Sequence, residues 1–196
     1  MKKLLITGFE PFGGETRNPS WDAVALLPNQ VGMFALTKLC IPVVFRDAAR
    51  SVIETAEQLR PDVILCIGQA GGRDAVTPEF VGINLMHAGM PDNAGNQPAD
   101  EPIAAEGSAA YFATVPARQM IEVIRAAGVA AKPSYSAGTY VCNDVLYSLL
   151  ARYSGTDTRV GFIHVPFAPE QAKAGVPSMA LGDMVTALTA AIGALE

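Results

Sequence analysis

Asp47-Ala48-Ala49-Arg50-Ser51-Val52-Ile53-Glu54-Thr55-Ala56-Glu57-Gln58-Leu59-Arg60-Pro61-Asp62-Val63-Ile64-Leu65-Cys66-Ile67 changes its period half-way along. Up to Leu59 the apolar positions Ala49, Val52, Ile53, Ala56 and Leu59 recur at helical spacing, with polar residues between them. Pro61 removes a backbone donor and ends the helix. From Val63 to Ile67 every residue is apolar, which suits a strand covered on both faces and not one with a wet side. A helix feeding such a strand is half of an α/β unit, so this stretch predicts a mainly parallel sheet clad in helices.

The same alternation extends in both directions. Lys2 to Thr7 reads as a first strand, followed by a Gly/Pro-rich loop and a helix opened by Asn18 as cap and Pro19 at the first position, running to about Leu27. Phe34 to Pro42 reads as the next strand. Between Gly68 and Glu106 the chain is rich in Gly, Pro, Asn and Asp, and only Glu79 to Leu85 looks strand-like; loops of this length carry function or an interface. Helical spacing returns at Ala117 to Ala127, at Asn143 to Tyr153, and at Leu181, Met184, Val185, Leu188, Ile192 and Leu195, with a strand near Pro133 to Ser136 and another, Val160 to Ile163, between them. These stripes read as core packing. The expected fold is α/β, with residues 1–196 forming a single domain.

Composition narrows the function. The chain is 50% hydrophobic and 17% charged, with a formal net charge of -5 and no Lys/Arg cluster to follow a phosphate backbone, so nucleic acid is not an expected partner. No stretch reaches membrane-spanning length, and the apolar run Leu4 to Ile6 after Met1-Lys2-Lys3 is too short for a signal peptide. Cys40, Cys66 and Cys142 are odd in number and widely spaced, which indicates neither disulfides nor a zinc knuckle and favours a reducing cytoplasm.

In an open sheet, ligands bind beyond the carboxyl ends of the strands. Gly8 to Gly14, Gly68 to Arg73 and His164 lie at those ends. Cys142 joins them, at the junction of a Gly-rich turn and a helix in Ser136-Ala137-Gly138-Thr139-Tyr140-Val141-Cys142-Asn143-Asp144. A helix start aims free N–H groups and a positive dipole end at the sulfur, which predicts a thiolate. Its base would be one of two histidines, His87 and His164, and His164 is the better placed; His87, in a loop with Asp92, reads as solvated. Glu79, after the Gly-rich loop, is a candidate third member to orient the imidazole. Each has an ordinary alternative: a small buried cysteine, a core histidine, and a loop carboxylate paired with Arg73. The loop Gly8-Phe9-Glu10-Pro11-Phe12-Gly13-Gly14 is a poor phosphate cradle, because Pro11 lacks a donor and Glu10 repels an anion; its phenylalanines suggest an apolar wall. Two histidines and scattered acids give no metal-ligand spacing.

Several segments together resemble the pyroglutamyl peptidase I (pyrrolidone carboxyl peptidase) family of cysteine peptidases. They are Thr7 to Gly14 with Asn18-Pro19-Ser20, Gly68 to Arg73, Thr77-Pro78-Glu79 with Asn84, Pro91 to Pro98, Ser136 to Asn143, and His164-Val165-Pro166. The resemblance implies a single-domain α/β/α sandwich with a mainly parallel, mixed central sheet. It implies Cys142 as nucleophile, His164 as base and Glu79 as orienting carboxylate, acting on peptides with N-terminal pyroglutamate, without a cofactor or metal. Phe9, Phe12 and Val141 fall at positions of the ring pocket, with Gln69 and Met90 as further substrate contacts, and a homo-oligomer, dimer or tetramer, is expected. Many members carry Arg where this chain has Gly89 and Phe80; the first change removes a charge near the catalytic centre. The departure leaves a catalytically weak or inactive binder of cyclised N-termini as one alternative, and the glycine loops leave a phosphate- or nucleoside-binding protein as another.

Overall fold

The computed structural model describes residues 1–196. A six-stranded sheet runs in the spatial order β2 (Gln30–Val31), β3 (Phe34–Ile41), β1 (Lys2–Phe9), β4 (Val63–Gln69), β8 (Arg159–Val165) and β5 (Thr77–Pro78). The three central pairings, from β3 to β8, are parallel, and the short edge strands β2 and β5 are antiparallel. The sheet is therefore mixed and mainly parallel, as expected. Two further short strands, β6 (Val81–Ile83) and β7 (Ala110–Phe112), pair with each other outside it.

Side chains alternate across the sheet with a period of two. Leu4, Ile6, Val63, Leu65 and Ile67 face a core shared with α1 (Pro19–Leu26), α3 (Ala117–Ala126) and α5 (Leu181–Gly193). Leu5, Ile64 and Cys66 face a second core shared with α2 (Asp47–Leu59) and α4 (Val141–Arg152). Both faces are thus dry, which is why β4 needs no polar alternation. Each fully buried Leu or Ile contributes about 1.5–3 kcal/mol of transfer free energy. The arrangement is the three-layer α/β/α sandwich.

Four expectations are corrected. The single strand expected at Glu79 to Leu85 is divided: Thr77–Pro78 joins the main sheet and Val81–Ile83 leaves it for β7. No strand forms at Pro133 to Ser136, where Ala131 and Ser134 make only isolated bridges to Val76 and Glu79. The helix expected from Asn143 starts at Val141, because its cap, Tyr140, makes no side-chain capping bond and so leaves no sequence signal. Asp92 is buried, and the partner of the exposed His87 is Asp100, at 3.0 Å.

Candidate active site

Two parallel strands end side by side at the rim. In the β4–β8 register Gly68 lies opposite His164. Gly68 has no side chain for a local reason: a Cβ there would sit 3.0 Å from the Cys142 sulfur and 2.8 Å from the Phe162 ring. The missing methyl is the space in which Cys142 Sγ lies, above β4 and beside the strand that carries His164. The chain reaches α4 through Gly138, whose φ of 78° only glycine adopts without strain, and through the extended Tyr140. Cys142 is thereby the second residue of α4. The carbonyl of Tyr140 takes the N–H groups of Asn143 and Asp144.

Glu79 arrives from the edge of the sheet. β5 runs antiparallel to β8, with Thr77 opposite His164, and the Glu79 N–H donates to the carbonyl of Phe162. This turns the carboxylate under the imidazole, where Oε1 meets His164 Nδ1 at 2.7 Å. Both side chains are buried. The same Oε1 accepts from Arg73 Nη1 at 2.8 Å, while Arg73 Nη2 donates to the carbonyl of Ser136. Glu79 is therefore both the partner of Arg73 and the partner of His164; the ordinary and the functional readings coexist in one carboxylate.

The electrostatics follow from this burial. For Glu79, burial pushes the carboxyl up, but the hydrogen bond from His164 and the charge that His164 carries when protonated, with hydrogen bonds from Ser134 and Arg73, outweigh it and hold the group below its usual range. Burial pulls the His164 pKa down, against the pull of Glu79 and with the aid of Arg73, so the neutral imidazole is favoured. Burial pushes the Cys142 thiol up to about 12, reinforced by the Glu79 charge and opposed by Arg73 and the cysteine's own N–H. The thiolate expected from the helix start is thus overturned in the resting protein: desolvation outweighs the helix end. The group rests as a neutral thiol beside a neutral imidazole, and charge separates only when the proton moves.

These groups open on a cavity of about 190 Å³ lined by Phe9, Phe12, Val43, Tyr140 and Val141 on its apolar sides, and by Asn18, Gln69, Ala70, Arg73, Ala137, Gly138, Cys142 and His164. Phe9, Phe12, Gln69 and Val141 are all brought to it. Met90 is not: it is exposed, and its methyl lies 3.3 Å from where a Gly13 side chain would begin. Arg73, Val43, Asn18 and Tyr140 also line the cavity, though none was named as a substrate contact in the sequence; Asn18 fulfils its capping signal as well, by accepting from the Ser20 N–H. A larger cavity of about 480 Å³, between the start of α2 and the 96–101 segment, holds none of these groups.

The rim loop is held by polar side chains. Glu10 accepts from the Val43 N–H and from Asn93 Nδ2, and Asn93 also donates to the carbonyl of Pro11. Asp92 accepts from the N–H groups of Phe45, Ala94 and Asn96. Glu10 is thus spent on architecture. Gly89 is exposed, with open space where a side chain would be.

Comparison with known proteins agrees over the whole chain. The model of a family described as pyroglutamyl peptidase matches residues 2–196. The pyrrolidone-carboxylate peptidase of Staphylococcus carnosus is 48% identical over 99% of this chain and 93% of its own. That of Levilactobacillus brevis is 49% identical over 98% and 97%. Among solved structures, pyroglutamyl peptidase I of Bacillus amyloliquefaciens superposes with a TM-score of 0.96 at 43% identity, covering 100% of this chain and 97% of that one. The pyrrolidone carboxyl peptidase of Thermococcus litoralis gives 0.94 at 36% identity, covering 100% and 93%.

Proposed function

The chain belongs to the pyroglutamyl peptidase family, and on that premise we propose that Cys142, His164 and Glu79 are the groups that carry its reaction. The protein is a cysteine-type omega peptidase that removes N-terminal pyroglutamate from peptides. The observation that supports the residue assignment is the Glu79–His164 contact at the mouth of a cavity that also holds the Cys142 sulfur.

Pyroglutamate offers a flat ring, a lactam N–H and a lactam carbonyl, and no ammonium group. The site therefore needs no acidic anchor. Phe9, Phe12, Val43 and Val141 form the slot for the ring, and Gln69 stands at its polar side. A ring lacking the lactam hydrogen bonds leaves buried polar partners unpaired, so prolyl substrates are cleaved far more slowly than pyroglutamyl ones.

As the Cys142 sulfur attacks the scissile carbonyl, its proton passes to His164, and Glu79 stabilises the imidazolium that forms. The N–H of Cys142, at the second helix position where the helix itself claims no donor, is placed to hold the oxyanion. His164 then protonates the leaving amine, and water deprotonated by His164 releases pyroglutamate from the thioester. The neutral resting pair suits this sequence, since the substrate, filling the cavity, receives a nucleophile made at the moment of attack. Peptides are the substrates, and self-association into a dimer or tetramer belongs to this reading as well. No helix is long and apolar enough to cross a membrane.

Hydrolysis of a chromogenic pyroglutamyl amide, blocked by a thiol alkylator, tests the assignment. Cys142→Ala is expected to lose turnover by at least about 10⁴-fold while keeping its thermal midpoint. Turnover retained in that variant would refute the nucleophile.

A further inference from the structure

The cavity of about 190 Å³ takes the pyroglutamyl ring and leaves the departing peptide unplaced. Besides a depression of about 250 Å³ between α2 and α4, which shares no lining residue with the ring cavity, two larger ones are present. The one of about 480 Å³ beside α2 has no lining residue in common with the ring cavity. The other is a groove of about 430 Å³ lined by Arg73, Asp74, Thr77 and residues 132–136, and it is joined to the ring cavity twice. Arg73 lines both, and Ser136 of the groove runs directly into Ala137 and Gly138 of the cavity wall.

The leaving amine takes its proton from His164, so it must start beside that imidazole. Glu79 sits on the far nitrogen of the ring, and Arg73, bound to Glu79, forms the near edge of the groove. Arg73 therefore links the triad's carboxylate to the edge of the groove. Resting on the peptidase reading, we infer that this groove seats the residues that follow pyroglutamate.

Its chemistry selects by shape and not by charge. Lys132 is paired with Asp74 at 2.7 Å, so the two formal charges at the far wall cancel. Tyr135 is 63% exposed, yet its ring is held on one side by Phe80, 5.1 Å away and tilted by 40°. Phe80 in turn lies under the Arg118 guanidinium, 5.8 Å from its centroid. A large aromatic ring fixed from behind and open in front is a stacking platform whose ordering cost is already met by its own chain. The groove therefore takes an aromatic or large apolar side chain within the first two residues after pyroglutamate.

The test compares kcat/KM on pyroglutamyl-Phe-Ala, pyroglutamyl-Ala-Phe and pyroglutamyl-Ala-Ala amides. At least one phenylalanine peptide is expected to exceed the alanine peptide by roughly fivefold to tenfold, the size of an aromatic contact with its burial. Tyr135→Ala is expected to bring that ratio close to one, and Phe80→Ala to lower it partway by freeing the platform. A change in folding lowers all three rates together and leaves the ratio alone. A ratio near one in the unaltered protein overturns the proposal, as does a ratio that survives Tyr135→Ala or that responds instead to Arg50→Ala beside α2. Failure to cleave any of the three peptides is a different result: it overturns the peptidase reading and takes this proposal with it.

Discussion

Two segments of this protein look equally marked in the sequence and behave in opposite ways. Ser136 to Asn143, which turns at Gly138, and Pro91 to Pro98, rich in Asn and Pro, are both short and both lie at the rim. In the first, the turn at Gly138 and the helix start deliver a sulfur to a cavity. In the second, Asp92 and Asn93 spend their polar atoms on backbone groups of the 9–14 and 43–45 segments. The hydroxyl of Tyr140 donates to the carbonyl of Pro91 and ties the two together. A conspicuous motif is therefore not by itself a chemical site: what separates the two is whether the polar atoms are left facing a ligand or are consumed by the fold.

The sharpest test of the contrast pairs one carboxylate from each kind of place. Glu79→Gln is expected to cut kcat by about 10²–10⁴-fold, since the amide still fits but no longer stabilises an imidazolium. Asp92→Ala, which strands several buried N–H groups, is expected to cost about 3 kcal/mol of unfolding free energy. Steady-state kinetics and denaturant titrations on both variants read the two losses. If Asp92→Ala lost catalysis without stability, the scaffolding role assigned to the second segment would fail.

Next in size is Gly68→Ala. Its methyl would meet both the Cys142 sulfur and the Phe162 ring. We expect a loss of roughly tenfold or more in kcat/KM together with about 1–3 kcal/mol of overpacking strain, seen as a lower midpoint. Full activity would show that the sulfur does not need the space left at Gly68.

The pH dependence is a smaller effect with a definite sign. His164 is held below its ordinary 6.5, so the neutral base survives into more acid solution, and the acid limb of kcat/KM is expected below pH 6.5. Arg73 is part of the cause, and Arg73→Gln should move that limb to higher pH. With the thiol pushed up to about 12, alkylation of Cys142 by iodoacetamide should keep accelerating beyond pH 9 and not level off near neutrality. Stability has the same direction. Glu79 titrates below its unfolded value of 4.5, so its contribution is complete above that pH and is lost as pH falls through the folded value. His164, depressed as well, adds a contribution that is complete above 6.5 and lost on acidification.

Gly89→Arg is expected to give the smallest change, within about threefold in kcat/KM, because the position is exposed and a side chain there begins in open space. A rise of tenfold or more would mean that the charge reaches the reacting carbonyl and that this chain has lost a catalytic aid.

Much of this was legible beforehand, and the reasons are local. Helix α2 and strand β4 announce themselves because one period gives way to another across Pro61, and a strand dry on both faces has no polar residues to confuse the pattern. Cys142 stood out by its helix-start address, but a small buried cysteine was the ordinary reading of that address until the family resemblance was added. Glu79 was much less legible, since its role depends on a two-residue antiparallel edge strand that leaves no periodicity to read. Arg73 was legible only as a rim residue that could pair with Glu79; that it also reaches a carbonyl 63 positions on was not.

By itself the sequence determined the α/β layering, the candidate nucleophile and its histidine, and a family whose segments run from one end of the chain to the other. Those are properties of residue type and spacing, which the chain carries before it folds. The tertiary structure alone decided that Glu79 serves His164 and Arg73 at once, that Gly68 makes room for the sulfur, and that Cys142 rests as a thiol. The last reverses the local expectation for a physical reason: a helix end acts through a few neighbouring N–H groups, whereas desolvation is set by everything that the fold packs around the sulfur.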